Sequence, residues 1–317
     1  MSTSLDSLTP ARGWLDVHGG RAVIVPHGDA DGLSAGALLG KVARGGVRHV
    51  ETPWDVGLGA GQAWVIVDWG VRPMGVGAPV LYVDHHADPE PVDGIVLHAG
   101  ETGDESTSLL AWRLLGSPSG FAWLAAVGAV GDLGEGALRL PELSAAHPRA
   151  AIHRLATLAS APGRLRDGPV DKAFAVLAEA PMPEAALTDP RISKLEQARE
   201  AVHRHRREAM RVAPQIGDTA ALIRLDMPVK VHSQVAVAWT RRLAGRVVVA
   251  ANAGWRADKI SFAVRSAEPI DLRTWLRNVY EPPPGSGDYA RGHARATGGS
   301  LTPDAFEVFE AAVLDAS

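Results

Sequence analysis

Arg21-Ala22-Val23-Ile24-Val25-Pro26 runs straight into His27-Gly28-Asp29-Ala30-Asp31-Gly32, and this junction decides how the chain is read. A short β-branched run breaks off at a polar turn, and Leu33 to Ala43 then has helical composition. Apolar runs this short, bounded by turn residues, read as strands buried on both faces of a parallel sheet. Two further runs repeat the pattern: Trp64 to Val67 (WVIV) ends at Asp68, and Val80 to Val83 (VLYV) ends at Asp84-His85-His86. Open α/β sheets collect ligands at the C-terminal ends of their strands. All three runs deliver acids or histidines there.

Working outward, Glu105 to Leu115 and Phe121 to Val130 read as helices, the second running into Gly131-Asp132-Leu133-Gly134. Residues 137 to 180 are rich in Ala and Leu and read as helical; Pro181, Pro183 and Pro190 mark a boundary. Arg191 to Val212 is a charged connector helix. After Pro214 strands are expected near 220–225, 246–251 and 259–264, with helices near 233–243 and 272–279. A glycine-rich loop, GSGDYARGHARATGGS, precedes a final helix. The expected organisation is an α/β fold: a parallel-sheet domain over 1–188 with helices on both faces, a connector over 189–214, and a smaller α/β domain over 215–317. The site is expected in the cleft between the domains.

The composition is globular, with 46% hydrophobic and 21% charged residues among 317. No uninterrupted apolar run approaches the roughly 20 residues that span a bilayer, so no membrane is expected. The opening MSTSLDSLTP lacks the pattern of a secretory signal, and a cytoplasmic location is the expectation. The chain has no cysteine, so thiolate metal sites are excluded and any metal sits on His and carboxylate. A net charge of −4 disfavours a protein that coats long duplex nucleic acid. A short or single-stranded substrate in a local basic groove remains compatible.

In an extended or turning segment, residues two apart project to one side, so His27, Asp29 and Asp31 are expected to converge. Hard and borderline donors without thiolate suit Mn²⁺ or Mg²⁺. The competing reading is a turn whose aspartate caps the next helix. An acid and two histidines after a buried strand are costly unless paired or ligated, which favours a role for Asp84-His85-His86. Asp68 and Asp132, taken singly, read as helix caps. Ser106, Thr107 and Ser108 read equally as substrate contacts or as a cap. His203 to Arg207 (HRHRR) reads as a solvated helical face.

Taken together these residues resemble the DHH phosphoesterase family, which includes RecJ-type nucleases, oligoribonucleotide and cyclic-dinucleotide phosphodiesterases, and family II pyrophosphatases. HGDADG is similar to the first motif, Asp68 to the second, Asp84-His85-His86 to the third, and Asp132 in AVGDLG to the fourth. His27 lies two residues before Asp29, as in archaeal-type nuclease members, whereas many relatives place it four before or lack it. Arg265-Ser266, then Gly292-His293 and Gly298-Gly299, resemble the DHH-associated substrate domain. Arg291 stands where that domain's Gly-Gly-His loop has its first glycine.

The resemblance implies two Mn²⁺ (Mg²⁺ being open). His27, Asp29 and Asp68 would hold one; Asp31, Asp68, His85 and Asp132 the other, with Asp68 bridging. Such cation pairs, about 4 Å apart, activate water and clamp phosphoryl oxygens. His86 would touch the phosphate or protonate the leaving oxygen, and Asp84 would orient a histidine. Arg265, Ser266, Arg291, Gly292, His293, Gly298, Gly299, Ser106 and Thr107 would bind substrate. RecJ-like processing of long strands usually uses an extra oligonucleotide-binding domain, for which the length leaves no space. The expected substrate is therefore a short oligonucleotide or single-stranded DNA or RNA. Alternatives are a small nucleotide (a cyclic dinucleotide or 3′-phosphoadenosine 5′-phosphate) and a non-catalytic nucleic-acid binder. A homodimer is left open.

Overall fold

The computed structural model describes residues 5–50, 54, 59, 61–75, 77–86, 89–99, 105–140, 143 and 147–316. Two compact units emerge: residues 1–163 with 167–199, and residues 164–166 with 200–317. The division differs from the expected one in two places. Residues 164–166 join the second unit because Leu165 bridges Val229 and Lys230 N–H donates to the Arg164 carbonyl. The connector is shared between units rather than forming a segment of its own.

The first unit contains α1 (Leu5–His18), β1 (Val23–Pro26), α2 (Ala30–Leu39), β2 (Trp64–Val67), β3 (Val80–Asp84), β4 (Ile95–His98), α3 (Thr107–Leu114), α4 (Ala122–Leu133), α5 (Arg149–Ser160), α6 (Val170–Glu179) and α7 (Pro183–Leu187). Helix α8 (Ile192–Ala209) begins in it and ends in the second. The strands form a four-stranded parallel sheet in the order β1-β2-β3-β4. Every residue of β2 and β3 is buried, as runs of Val, Ile, Leu and aromatic residues require.

Alternation along the strands sorts the two faces. Ile24, Val65, Val67, Leu81 and Val83 join a core built with α1, α2, α3 and α4. Val25, Trp64, Ile66, Val80 and Tyr82 join a second cluster covered by Trp54, Trp69, Val71, Met74 and Val92. Among the described residues, the expectation of helices on both faces therefore holds for one face; the cover of the other comes from connecting segments.

Helix α2 is buried along its whole length. Its sequence, ADGLSAGALL, contains only small residues and leucines apart from Asp31, which lets neighbours approach from every side. Gly36 illustrates this, because an added Cβ would lie 3.0 Å from Pro26 Cβ and 3.3 Å from Phe174. Helix α4 lies against α2, α3 and α5. The segment Ser119–Arg139 is long and apolar enough to cross a membrane by length and composition. Here its apolar residues Ala122 to Val130 are buried in the core of the unit.

The second unit contains β5 (Gln215–Ile216), β6 (Ala220–Leu225), α9 (His232–Thr240), β7 (Val247–Asn252), β8 (Ile260–Ser266), α10 (Leu272–Val279), β9 (Gly287–His293), β10 (Ala296–Leu301) and α11 (Pro303–Leu314). Its mixed sheet has the order β5-β6-β7-β8-β10-β9, with β6 and β7 the parallel pair. One face carries Val249, Phe262 and Val264 against Phe306 and Phe309 of α11; the other carries Ile223, Val248 and Ala263 against Val235 and Ala236 of α9. The expected glycine-rich loop is a β-hairpin, β9 to β10, with an irregularity between Gly298 and Ser300.

The closest helix crossing sets up the site. A Cβ on Gly128 of α4 would stand 2.3 Å from Ser108 Oγ and 2.7 Å from Asp31 Oδ1. Gly128→Ala should therefore push α4 off α2 and α3, at a cost of about 1–3 kcal/mol as for other overpacked cores. Urea denaturation measures it, and an unchanged midpoint would show that this crossing is not tight.

Candidate metal centre

Strand β1 ends at Pro26, and the turn after it is shorter than an extended segment. Asp29 is the N-cap of α2, its Oδ1 accepting the Gly32 N–H at 3.1 Å, and Asp31 already lies in the first helical turn. The expected convergence of His27, Asp29 and Asp31 on one side is thus corrected. His27 and Asp29 gather with Asp68, whereas Asp31 gathers with His85 and Asp132. A third grouping joins Asp68 to His85 and His86. Within each, the donor atoms lie within 4.8 Å of one another. The capping and ligand readings of Asp29 coexist: one oxygen caps the helix, and the other lies 2.9 Å from His27 Nδ1.

Asp68 stands at the junction. Its Oδ1 lies 3.4 Å from His85 Nε2 and 3.9 Å from His86 Nδ1, and its Oδ2 lies 3.9 Å from His27 Nδ1. The residue ends β2 in the left-handed region, φ 66°, a conformation uncommon outside glycine. Asp132 Oδ2 reaches to 3.7 Å from His85 Nε2. Asp132 occupies the last turn of α4, where the helix dipole disfavours a carboxylate. That placement is a cost that packing does not explain.

Donors from other segments fix the acids. Helix α3 presents its N-terminus to Asp31: Thr107 N–H donates to Oδ2 at 2.8 Å and Ser108 N–H to Oδ1 at 3.0 Å. Thr107 Oγ1 donates to Asp68 Oδ1 at 2.8 Å. Ser106 caps α3 through the Leu109 N–H. Ser106 and Thr107 are fully buried, so their expected contact with substrate is corrected: Thr107 holds Asp31 and Asp68, and Ser106 a helix end. Asp84 is likewise buried and accepts from Gly70 N–H and His86 N–H, each at 2.7 Å. Its described contacts are with Gly70 and His86, which it orients. His98, which sequence reasoning missed, contacts the His86 carbonyl through Nε2 at 2.5 Å from the adjacent strand β4. No run or motif signalled it, because β4 is a short strand with only three apolar residues. Trp69 sets its ring edge-on to His27, 4.7 Å between centroids.

The electrostatics follow from this crowding. Burial, then the charges of Asp31, Asp29, Asp84 and Asp132, raise the Asp68 carboxyl well above the usual range. Burial also raises Asp31, against the opposing pull of His85. For Asp84 burial acts upward, but the hydrogen bond and charge of His86 outweigh it and the carboxyl falls below its ordinary value. Burial would lower His86; the hydrogen bond and charge of Asp84 outweigh it and lift the imidazole to about 9.

These residues fit divalent cations. His27 Nδ1 is buried without a hydrogen bond although Asp29 Oδ2 lies at 2.9 Å, an arrangement of two lone-pair donors aimed at a shared cation. Aspartate oxygens and imidazole nitrogens without thiolate are the donor set of Mn²⁺ or Mg²⁺ sites. His27, Asp29 and Asp132 are 34%, 40% and 37% exposed, which gives ions and substrate access.

In the second unit, Arg265 on β8 donates to the Val264 and Thr297 carbonyls and to Ser233 Oγ. Ser266 Oγ accepts from the Glu268 N–H. Arg291 and Gly292 lie on the edge strand β9; the His293 side chain lies outside the described residues. Gly298 and Gly299 sit on β10, between β8 and β9, and an added Cβ on either would come within 2.2 Å of a backbone oxygen. The sheet requires them glycine. The glycine-rich segment expected to be a loop is a strand at this point.

No family profile matches the chain, and no curated protein matches it in sequence. Solved structures do match. An exonuclease RecJ bound to manganese is 21% identical over 98% of this chain and 94% of its own, with TM-score 0.64. RecJ from Thermus thermophilus in complex with Mn²⁺ is 20% identical over 98% of this chain, with TM-score 0.66; the chain spans 54% of that protein. A pGpG-specific phosphodiesterase, PggH from Vibrio cholerae, is 16% identical over 92% of this chain and 97% of its own, with TM-score 0.51. The chain has the fold shared by RecJ and DHH-domain structures.

Removing one charge from the crowded centre has a definite sign. Asp68→Asn keeps an acceptor for Thr107 but deletes a buried carboxylate facing four others. In EDTA this variant should be more stable than wild type by about 0.5–2 kcal/mol, a usual size for relieving a site strained for function. Mn²⁺ should raise the melting temperature of wild type and leave that of Asp68→Asn nearly unchanged. Equal Mn²⁺ shifts in both proteins would contradict the assignment.

Proposed function

We propose that the chain is a metal-dependent phosphoesterase that hydrolyses phosphodiester bonds in short or single-stranded nucleic acid. The observation that carries this reading is the placement of Asp68, one oxygen toward His85 and the other toward His27, between two donor groups on separate elements. That is the geometry of a bridging carboxylate. Two Mn²⁺, or Mg²⁺, held by His27, Asp29 and Asp68 and by Asp31, Asp68, His85 and Asp132, would supply Lewis acidity toward phosphoryl oxygens and lower the pKa of a water.

The chain's own groups do the rest. Thr107 and the α3 N-terminus hold Asp68 and Asp31 against their mutual repulsion, so the donors are preorganised rather than recruited. His86 Nδ1 leans on Asp84 Oδ1, which keeps the ring protonated at neutral pH and leaves the Nε2 proton for a leaving oxygen. Arg265 offers a guanidinium suited to phosphate. Hydrolysis of a small nucleotide by the same centre is the second reading, supported by the fold shared with a pGpG-specific phosphodiesterase.

A panel of end-labelled DNA and RNA oligomers of graded length, with cyclic dinucleotides and 3′-phosphoadenosine 5′-phosphate, tests both readings under Mn²⁺ and Mg²⁺. Shortening of oligomers is expected, fastest on short ones, and its loss in Asp68→Asn. Turnover of small nucleotides alone would move the assignment to the second reading, and no hydrolysis of any substrate would end it.

The His86–Asp84 pair has a separate pH signature in the metal-free protein. His86 is raised from about 6.5 to about 9 by folding, so its stabilisation is complete below about 6.5 and fades as pH rises through about 9. Asp84 is lowered, so its contribution is present above the ordinary carboxylate range and fades in acid. In EDTA the melting-temperature gap between wild type and His86→Gln should be widest near pH 6 and close towards pH 9.5. A gap independent of pH would remove the ion pair from the account.

A further inference from the structure

Charge divides unevenly along the chain. The second unit carries 18 Lys and Arg against 13 Asp and Glu, a formal +5 inside a chain of −4. Two stretches hold much of the excess. Residues 203–217 contain Arg204, Arg206, Arg207 and Arg211 and one acid, Glu208. Residues 231–246 contain Arg241, Arg242 and Arg246 and no acid.

The fold brings these stretches together. Val202, Ala209, Met210 and Val212, along α8 and just past its end, share one apolar cluster with Val235, Ala236, Trp239 and Leu243, along α9 and just past its end. Arg211 lies between two members of that cluster, and Arg241 and Arg242 lie between two others, so these arginines rim it. Arg246 Nε donates to the Gly217 carbonyl at 3.2 Å, which ties the turn before β7 to the one after β5. Arg242 lies over the Trp239 ring, 5.0 Å from its centroid. Val237, four residues before Arg241 and so on its side of the helix, is 46% exposed.

The surface is not neutralised from within. Among the described residues none of these seven arginines is in ion-pair contact with a carboxylate, whereas Arg224, Arg256 and Arg273 of the same unit face Glu310, Asp258 and Asp271. Glu208, the acid inside the run, lies 3.2 Å from His205 Nδ1 instead. Arg206 Nε is enclosed without a hydrogen-bond partner, so the run is not simply the solvated face expected of it. The positive region is also long. Helix α9 carries Ser233, which Arg265 Nη2 meets at 3.0 Å, at its start and Arg241 just past its end, about 12 Å further along the axis. One phosphate group cannot cover that length. A strand with a charge every few ångströms can.

We propose that the end of α8, the end of α9 and the turns that follow them form a binding surface for the part of a single nucleic-acid strand that is not being cleaved. Arginine forks hold its backbone phosphates, and the Trp239–Arg242 pair with Val237 offers a face to a base. The proposal deepens the phosphodiesterase reading and rests on it for the identity of the polyanion. It selects a strand over a small nucleotide as substrate.

The whole chain in EDTA, where no strand is cut, is titrated by fluorescence anisotropy with labelled oligothymidylates of about 3 and about 20 nucleotides over a range of salt. The long oligomer should bind more tightly, and its plot of log K against log salt should be steeper by about 0.7 for each added phosphate contact. Arg207, Arg211 and Arg241 are all exposed. Combining Arg207→Ala, Arg211→Ala and Arg241→Ala should flatten the long oligomer's slope by about 2 and raise its Kd at least ~10-fold at ~0.1 M salt. The three lysine substitutions at the same positions should restore the slope. Under Mn²⁺ the triple alanine variant should cleave a dinucleotide at the wild-type kcat/KM and lose efficiency on the long oligomer. Wild-type affinity and slope independent of length would overturn the surface without any variant. An unchanged slope in the triple alanine variant, or an altered dinucleotide rate, would do the same. Poly-glutamate or phosphatidylserine vesicles binding as tightly as the long oligomer would overturn it by pointing to an acidic protein or a membrane. Hydrolysis is scored separately: shortening of oligomers beside length-independent binding sinks this surface alone. Length-dependent binding that the variant loses, with no hydrolysis of any substrate, sinks the enzyme reading alone.

Discussion

Mutual repulsion among Asp29, Asp31, Asp68, Asp84 and Asp132 is the constraint on which the first unit depends. Asp31, Asp68 and Asp84 are almost completely buried, where a carboxylate without compensation is expensive. The fold answers each of them with a dedicated donor. Asp31 receives two backbone N–H groups from the start of α3, Asp68 the Thr107 hydroxyl, and Asp84 the N–H groups of Gly70 and His86. None of these donors is a cation. Asp84 is also paired with the protonated His86, but the donors to Asp31 and Asp68 fix positions without neutralising charge, which leaves the neutralisation there to something else. A site that fixes its anions yet keeps them under-compensated is prepared for divalent ions.

The same constraint explains the packing around it. To place Asp31 beside Asp132, α2 and α4 must cross with almost nothing between them, and Gly128 and Gly131 provide that clearance. A Cβ on Gly131 would lie 2.7 Å from Ala30 Cβ. Helix α2 consequently has no exposed face and is stabilised chiefly by burial, with the Asp29 cap at its start. Core and site are one construction here, because the residues that allow close packing are those that set ligand spacing.

What could be read from the sequence divides along physical lines. Strands ending in acids were legible because a buried parallel strand leaves a short β-branched run and its end leaves a break in hydrophobicity. Asp68, Asp84-His85-His86 and the α/β organisation followed from that. The conformation of HGDADG was not legible: an i, i+2 pattern fits an extended segment, and the cap at Asp29 that turns Asp31 into a helix is a local choice two residues long. Ser106 and Thr107 were ambiguous for a deeper reason. A cap and a ligand-holding donor use the same residue types, and contacts 76 and 39 residues apart in sequence decide between them. The hairpin β9–β10 looked like a loop because its glycines suggest turns, whereas they are there to let three strands and Phe262 come close.

The two units differ in the sign of their charge. The first gathers Asp29, Asp31, Asp68, Asp84 and Asp132 in one cluster, and a phosphate would meet that cluster only through recruited cations. The second carries Arg265 half-buried on its sheet, with only neutral acceptors among its described hydrogen bonds. A net charge of −4 conceals this division. On the phosphodiesterase reading the division has a chemical logic: the phosphate to be cleaved needs ions that polarise it and supply a nucleophile, which a fixed arginine cannot do.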